Sequence, residues 1–248
     1  VANGGELVYE PRFYRKAVAP EGLICFEVVH KETDLQICAV KELSSQAHGA
    51  ILRARQDIET YIASHPRFAE SYSPVDVDSD APPIVANMAR AGHTAGVGPM
   101  AAVAGAIAEY VARALAEDSD EVIVENGGDV FVIGRIERTL ALWAGDEGVR
   151  GVGLVVAPEM MPVAVCTSSG RIGHSTSFGA ADAVTVLSAD ASLADAVATA
   201  LANRIRRPED VDLALQSAQA ISGVLGVVAT VNGRIGAWGA VELTSITG

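Results

Sequence analysis

The chain has 248 residues, 50% of them apolar, and a formal charge of −13 from 31 acidic against 18 basic side chains. That length and apolar content suit a single domain over 1–248, at most two merged lobes, with a sizeable core. No Lys/Arg stripe offers the basic footprint that a phosphate backbone needs, which excludes nucleic acid as a partner, and no run approaches the length of a membrane span.

Residues 7–43 read as strands. Leu23 to Val29 and Leu35 to Val40 flank a polar turn at Lys31 to Asp34, the pattern of a hairpin. Cys25 and Cys38 bracket that turn, and Cys166 is the third cysteine. The three make no metal motif, and one stays unpaired in any disulfide scheme. The expectation is two buried thiols in a reducing cytosol rather than a bond. No signal peptide is visible, so the expected location is cytoplasmic; the chain starts at Val1 rather than Met, as it would after removal of a leader.

Ser44 to Ser64 turns helical, with Ile51, Arg55, Ile58 and Ile62 close to one face. His65-Pro66 closes it. Tyr72 to Pro83 reads as a connector rich in Pro and Asp. Its Asp76, Asp78 and Asp80 approach a calcium-loop spacing, but Ala81 stands where the turn glycine belongs and Asn87 where the bidentate Glu belongs. Gly92 to Pro99 leads into a helix over about 99–117, with Met100, Val103, Ile107, Val111 and Leu115 on its apolar stripe. Gly96 and Gly98 offer a phosphate cradle at that helix start. The Lys-Ser/Thr of a P-loop and the third glycine of a dinucleotide fingerprint are missing, so a plain glycine turn explains them as well.

Val122 to Val124 and Val130 to Ile133 enclose Glu125-Asn-Gly-Gly-Asp129, a strong hairpin signal. Either Asn126, Gly127, Gly128 and Asp129 simply make the turn, or the two glycines let a ligand lie against the backbone while Asp129 orients it. Further strands are expected near 140–144, 152–157 and 163–166. From Thr167 the chain is dense in Ser, Thr and Gly up to Gly179, between the apolar runs Val163–Cys166 and Ala183–Leu187. Such a loop, including Thr167, Ser168, Ser169 and Gly170, presents many donors at one point. His174, alone of five histidines, lies inside it. It is a candidate general base or a hydrogen-bonding surface residue. Cys166 reads as a small core residue, since a nucleophile needs a lowered pKa and no basic neighbour is evident.

A helix starting at Ser192 puts Asp195 and Thr199 four apart on one face. A carboxylate and a hydroxyl so placed suit Mg²⁺. The competing reading makes Ser192 the N-cap and Asp195 part of a near-capping box, worth about 1 kcal/mol, which leaves Thr199 unexplained. A second helix begins near Pro208, and Val224–Val231, Asn232-Gly233 and a strand returning to Leu243 close the chain. Antiparallel hairpins with a few packed helices give an α+β fold of layered antiparallel sheets. Small-residue helices and apolar strand edges are compatible with a homodimer.

In this order the pieces resemble the ApbE-like family, whose best-known members are flavin transferases that move FMN from FAD to a protein Thr or Ser with Mg²⁺. The likeness runs from about Gly92 to Arg204. Asn126-Gly-Gly-Asp129 is similar to the family's Asn-x-Gly-Gly-Asp turn, Thr167-Ser-Ser-Gly170 to its Thr-Ser-Gly, and Ala194-Asp-Ala-Val-Ala-Thr-Ala200 to its metal-holding helix. The resemblance implies Asp195 and Thr199 as metal ligands, a nucleotide pocket at Asn126–Asp129 and Thr167–Gly170, His174 as base, FAD or FMN as ligand, and a protein acceptor. Thr94 to Glu109 and Cys166 to Gly170 resemble an uncharacterised subfamily linked to sulfide-dependent homocysteine formation. That link suggests an accessory role with Cys166 carrying sulfur; a non-catalytic delivery protein is the third reading. The chain departs from the flavin transferases at Val97-Gly-Pro-Met100, where their Lys-Gly and following Asp are missing, and at Ser175-Thr-Ser-Phe-Gly179, where theirs reads Asp-Pro-x-Thr-Gly.

Overall fold

The computed structural model describes residues 20–142, 151–169 and 179–246. Eleven strands among them form two antiparallel sheets. The first six are β1 (Ile24–His30), β2 (Thr33–Ala39), β3 (Val122–Asn126), β4 (Asp129–Ile133), β5 (Arg138–Leu142) and β6 (Val152–Val156). The others are β7 (Val163–Ser168), β8 (Ala183–Ser188), β9 (Val224–Val231), β10 (Arg234–Gly239) and β11 (Glu242–Ser245). The large sheet runs β1-β2-β3-β4-β7-β8-β9-β10, and the small one β11-β6-β5.

The central strands are apolar at consecutive positions because both faces of the large sheet are covered. Along β3, Val122 and Val124 pack into the main core, and Ile123 packs with Leu154 and Val156 of the small sheet. Along β7, Ala164 and Cys166 face the main core, and Val163 and Val165 the small sheet. This is the two-residue period of a strand read on both sides at once. The α+β architecture of layered antiparallel sheets with packed helices is therefore the observed one.

Six helices supply the other layer: α1 (Ser44–Ser64), α2 (Arg67–Glu70), α3 (Pro83–Ala95), α4 (Val103–Leu115), α5 (Ala191–Arg204) and α6 (Val211–Gln219). Helix α1 has the bounds its periodicity predicts, and it buries Ala47, Ala50, Ile51, Ala54, Ile58 and Tyr61. Helix α3 is an addition: it runs from the end of the expected connector at Pro83 through the stretch from Gly92 expected to lead into the next helix. Pro83 occupies its first turn, where a missing N–H costs nothing. Position 92 within it requires glycine, because a Cβ there would meet the Val97 carbonyl at 2.8 Å. The helix expected over 99–117 is a 3₁₀ turn at Pro99–Ala102 followed by α4. No single helix among the described residues is long and apolar enough to cross a membrane.

The cysteines give a correction. Cys25 and Cys38 stand directly opposite in the β1–β2 register, with Cα atoms 4.1 Å apart, and they form a disulfide. Antiparallel neighbours this close bring their sulfurs together. Cys166 is the free, buried cysteine.

Candidate functional site

The β3–β4 hairpin turn is built on two glycines at positive φ, Gly127 (+67) and Gly128 (+115), a region that favours glycine. It pairs Asn126 with Asp129 across the turn. Asn126 then reaches into the helix layer, where its side-chain amide donates to the Ala104 carbonyl at 3.0 Å. Asp129, from the other arm, accepts from the Thr167 N–H at 3.2 Å. Gly128 lies over the same strand, where a Cβ would stand 3.5 Å from the Thr167 carbonyl.

Asp195 arrives at this point from α5. The N-cap of α5 is Asp190, whose carboxylate accepts from the Leu193 N–H, so Asp195 does not fasten its own helix. Instead Asp195 Oδ2 accepts from the Gly105 N–H at 3.0 Å, and the carboxyl also accepts from Ala104 N–H. The positive end of α4 thus meets a carboxylate from elsewhere in the chain. Gly105 permits the approach, because a Cβ would lie 2.5 Å from the Ala191 carbonyl and 3.0 Å from the Asp195 Cβ.

Asn126 and Asp195, far apart in sequence, therefore meet at the first turn of α4, with Asp129 close to Asp195. The arrangement holds two buried carboxyls. Burial pushes the Asp195 carboxyl up to about 7, against the pull of the Gly105 and Ala104 N–H groups. Burial also pushes Asp129 well above the usual carboxylate range, and the Asp195 charge acts in the same direction. The Thr167 N–H donates to Asp129 and opposes the rise, as does the neighbouring Cys166 thiol, whose own hydrogen bond goes to the Ala191 carbonyl at 3.7 Å. Burial, then the Asp129 and Asp195 charges, hold the Cys166 thiol well above its ordinary value.

Not every sequence-predicted residue turns toward this point. Thr167 contributes its backbone N–H, but its hydroxyl pairs with that of Thr185 at 2.8 Å, on the face of β7 away from Cys166 and the helices. The Gly98 N–H donates to the Tyr72 carbonyl, and a Cβ on Gly98 would meet the Ser71 carbonyl, so this glycine holds the connector. Gly96 caps α3 in the left-handed conformation (φ +76). Ser168 lies on β7 and Ser169 follows it. Gly170 and His174 lie outside the described residues.

The residues that sequence reasoning missed are Gly105, Ala104, Glu109 and the thiol of Cys166 in its role as donor. Glu109 Oε2 accepts from the Ala191 N–H at 2.8 Å, 82 positions away. Its sequence signal is the i,i+4 pair with Arg113, which says nothing of the distant partner.

Among the described residues no group of three or more His, Cys, Asp or Glu has metal-ligand spacing. A divalent ion that shares its shell with phosphate and water needs fewer protein donors. Asp195 and Thr199 are oxygen donors one helical turn apart, and among the described residues the Thr199 hydroxyl has no hydrogen bond. Two buried acids that resist ionisation together are a donor set that a cation would relieve.

The family described as AbpE bacteria matches residues 15–232. A UPF0280 protein of Methanocaldococcus jannaschii is 40% identical over 216 residues, covering 84% of this chain and 88% of its own. A UPF0280 protein of Methanosphaerula palustris is 42% identical over 214 residues, covering 85% and 89%. Among solved structures, the flavin transferase ApbE of Vibrio cholerae superposes with a TM-score of 0.58 at 13% identity, over 87% of this chain and 96% of that one. The ApbE protein of Thermotoga maritima does so with a TM-score of 0.58 at 15% identity, over 86% and 96%. At these identities the shared property is the fold.

Proposed function

We infer, from the premise that this chain belongs to the family described as AbpE bacteria, that it binds a flavin nucleotide together with Mg²⁺ and acts as a flavin transferase-like protein. The observation that carries this reading is the meeting of Asp195 and Asn126 at the first turn of α4, with the buried Asp129 close to Asp195. Such a site has oxygen donors and backbone N–H groups, and its acidic charges call for a cation before a phosphate can approach.

In this reading Asp195 and Thr199 hold the metal. Bound Mg²⁺ would polarise the pyrophosphate and offset the acids around it. Asn126, Gly127, Gly128 and Asp129 line the nucleotide side, and the family likeness adds Ser168, Ser169 and Gly170 to the nucleotide-binding residues. FAD is the substrate. The acceptor hydroxyl oxygen forms a bond to the FMN phosphorus, the bond from that phosphorus to the AMP oxygen breaks, and His174 takes the hydroxyl proton. A protein Thr or Ser supplies the hydroxyl. The sulfur-carrier reading gains nothing from the structure: Cys166 is fully buried and its thiol is held protonated, the reverse of what a carrier needs.

Thermal denaturation with FAD, with Mg²⁺ and with both tests the proposal. Together at about a hundred times the dissociation constant they are expected to stabilise the fold by about 2.7 kcal/mol. Asp195→Ala is expected to abolish the joint effect. No shift in the wild-type protein at millimolar ligand would sink the reading.

A further inference from the structure

Helices α4 and α5 cap each other. Asp195 of α5 accepts from Gly105 N–H at the start of α4, and Glu109 of α4 accepts from Ala191 N–H at the start of α5. The two contacts sit four residues apart on each helix and run in opposite chain order, so the helices cross antiparallel at this point. Gly105 lets them touch: its missing Cβ leaves room for the Ala191 carbonyl and the Asp195 Cβ at once.

Glu109 is itself fixed. Arg113 holds its other carboxylate oxygen at 2.7 and 2.8 Å, and the Arg113 guanidinium lies over the Phe131 ring, 5.2 Å from its centre. Phe131 is fully buried in β4, the strand that begins with Asp129. The chain of contacts therefore runs from β4 through Arg113 and Glu109 to the α5 start. One turn further along α5 stands Asp195.

We propose that Glu109 is a positioning residue: by gripping Ala191 it sets the register of α5 on α4 and so places the Asp195 carboxylate. The proposal rests on the metal-binding role given to Asp195 above. Glu109 touches neither metal nor nucleotide. Its effect passes through backbone placement, as outer groups around a metal ligand commonly act.

The test uses the full chain and two readouts, hydrogen exchange at the Gly105 amide and binding of Mn²⁺ as the metal probe. Glu109→Ala is expected to speed Gly105 exchange about tenfold relative to the Ile58 amide in α1, and to weaken Mn²⁺ about tenfold or more. Glu109→Gln keeps an acceptor oxygen for Ala191 but loses the one for Arg113, and is expected to bring both readouts between the Glu109→Ala and wild-type values. Should Glu109→Ala not fold, Glu109→Asp, which withdraws the carboxylate by one methylene, is expected to act in the same direction. Equal speeding at Gly105 and Ile58 marks a merely structural role and overturns the proposal. So does a folded variant with Gly105 exchange within about twofold of wild type. A wild-type chain that takes up no Mn²⁺ sinks the metal reading instead, and Gly105 exchange then decides the positioning claim alone.

Discussion

Asp195 is a carboxyl whose ionisation works against its own burial while no cation is bound. Its folded value of about 7 lies above the ordinary 3.8. The folded chain therefore binds this proton more tightly than the unfolded chain. The stability this contributes is complete below the unfolded value, declines as pH rises, and is gone above about 7. At about 1.4 kcal/mol per unit, the change across that window is on the order of 4 kcal/mol. Asp129 is shifted in the same direction and adds the same sign. In EDTA, the denaturation midpoint of Asp195→Asn is expected to gain on the wild type between about pH 4 and about pH 7. Mg²⁺ is expected to restore wild-type stability at the upper end and to leave the variant unmoved. A constant difference between the two proteins across that range would count against burial as the cause.

The crossing of α4 and α5 depends on one residue without a side chain. By propensity alone, Gly105→Ala would favour α4 by about 1 kcal/mol. Packing opposes it, because the added methyl would stand 2.5 Å from the Ala191 carbonyl oxygen and 3.0 Å from the Asp195 Cβ. Overpacking of this kind costs about 1–3 kcal/mol. The atoms in the way are mostly backbone, which cannot rotate aside, so packing wins. The variant is expected to be less stable in urea by about 1–2 kcal/mol and to bind metal more weakly. A more stable variant would show that the helices separate without cost. Helix α3 makes a related point. Its Gly92 looks like a loop residue in one dimension and is a close-approach residue in three.

Across the whole molecule, the central strands of the large sheet are buried on both faces, but its edge strand β1 has one neighbouring strand, β2. The Cys25–Cys38 disulfide ties that edge to the interior over a separation of 13 residues. Closing a loop of that size in the unfolded chain is worth about 3 kcal/mol. Replacing both cysteines by serine is expected to lower the unfolding free energy by about that amount, measured in urea without reductant. Adding reductant to the wild type should reproduce most of the loss. Equal midpoints for the oxidised wild type and the double variant would remove the staple from the account of stability.

Much of this was legible from residue patterns, and each success has a local cause. Helix α1 announces itself by period and the Asn126–Asp129 turn by two glycines. Local physics of this kind acts over a few residues, and a single sequence contains all of it. The tertiary structure alone decided that Asp195 caps α4 rather than its own helix, that Glu109 grips Ala191, and that Cys25 meets Cys38. It also turned the Thr167 hydroxyl away from the site and gave the Gly98 N–H to Tyr72. These outcomes depend on how β3, β7 and α5 are brought against α4 across tens of residues. No spacing along the chain encodes that approach, because it is set by two-sided burial of the sheet and by where glycine leaves room.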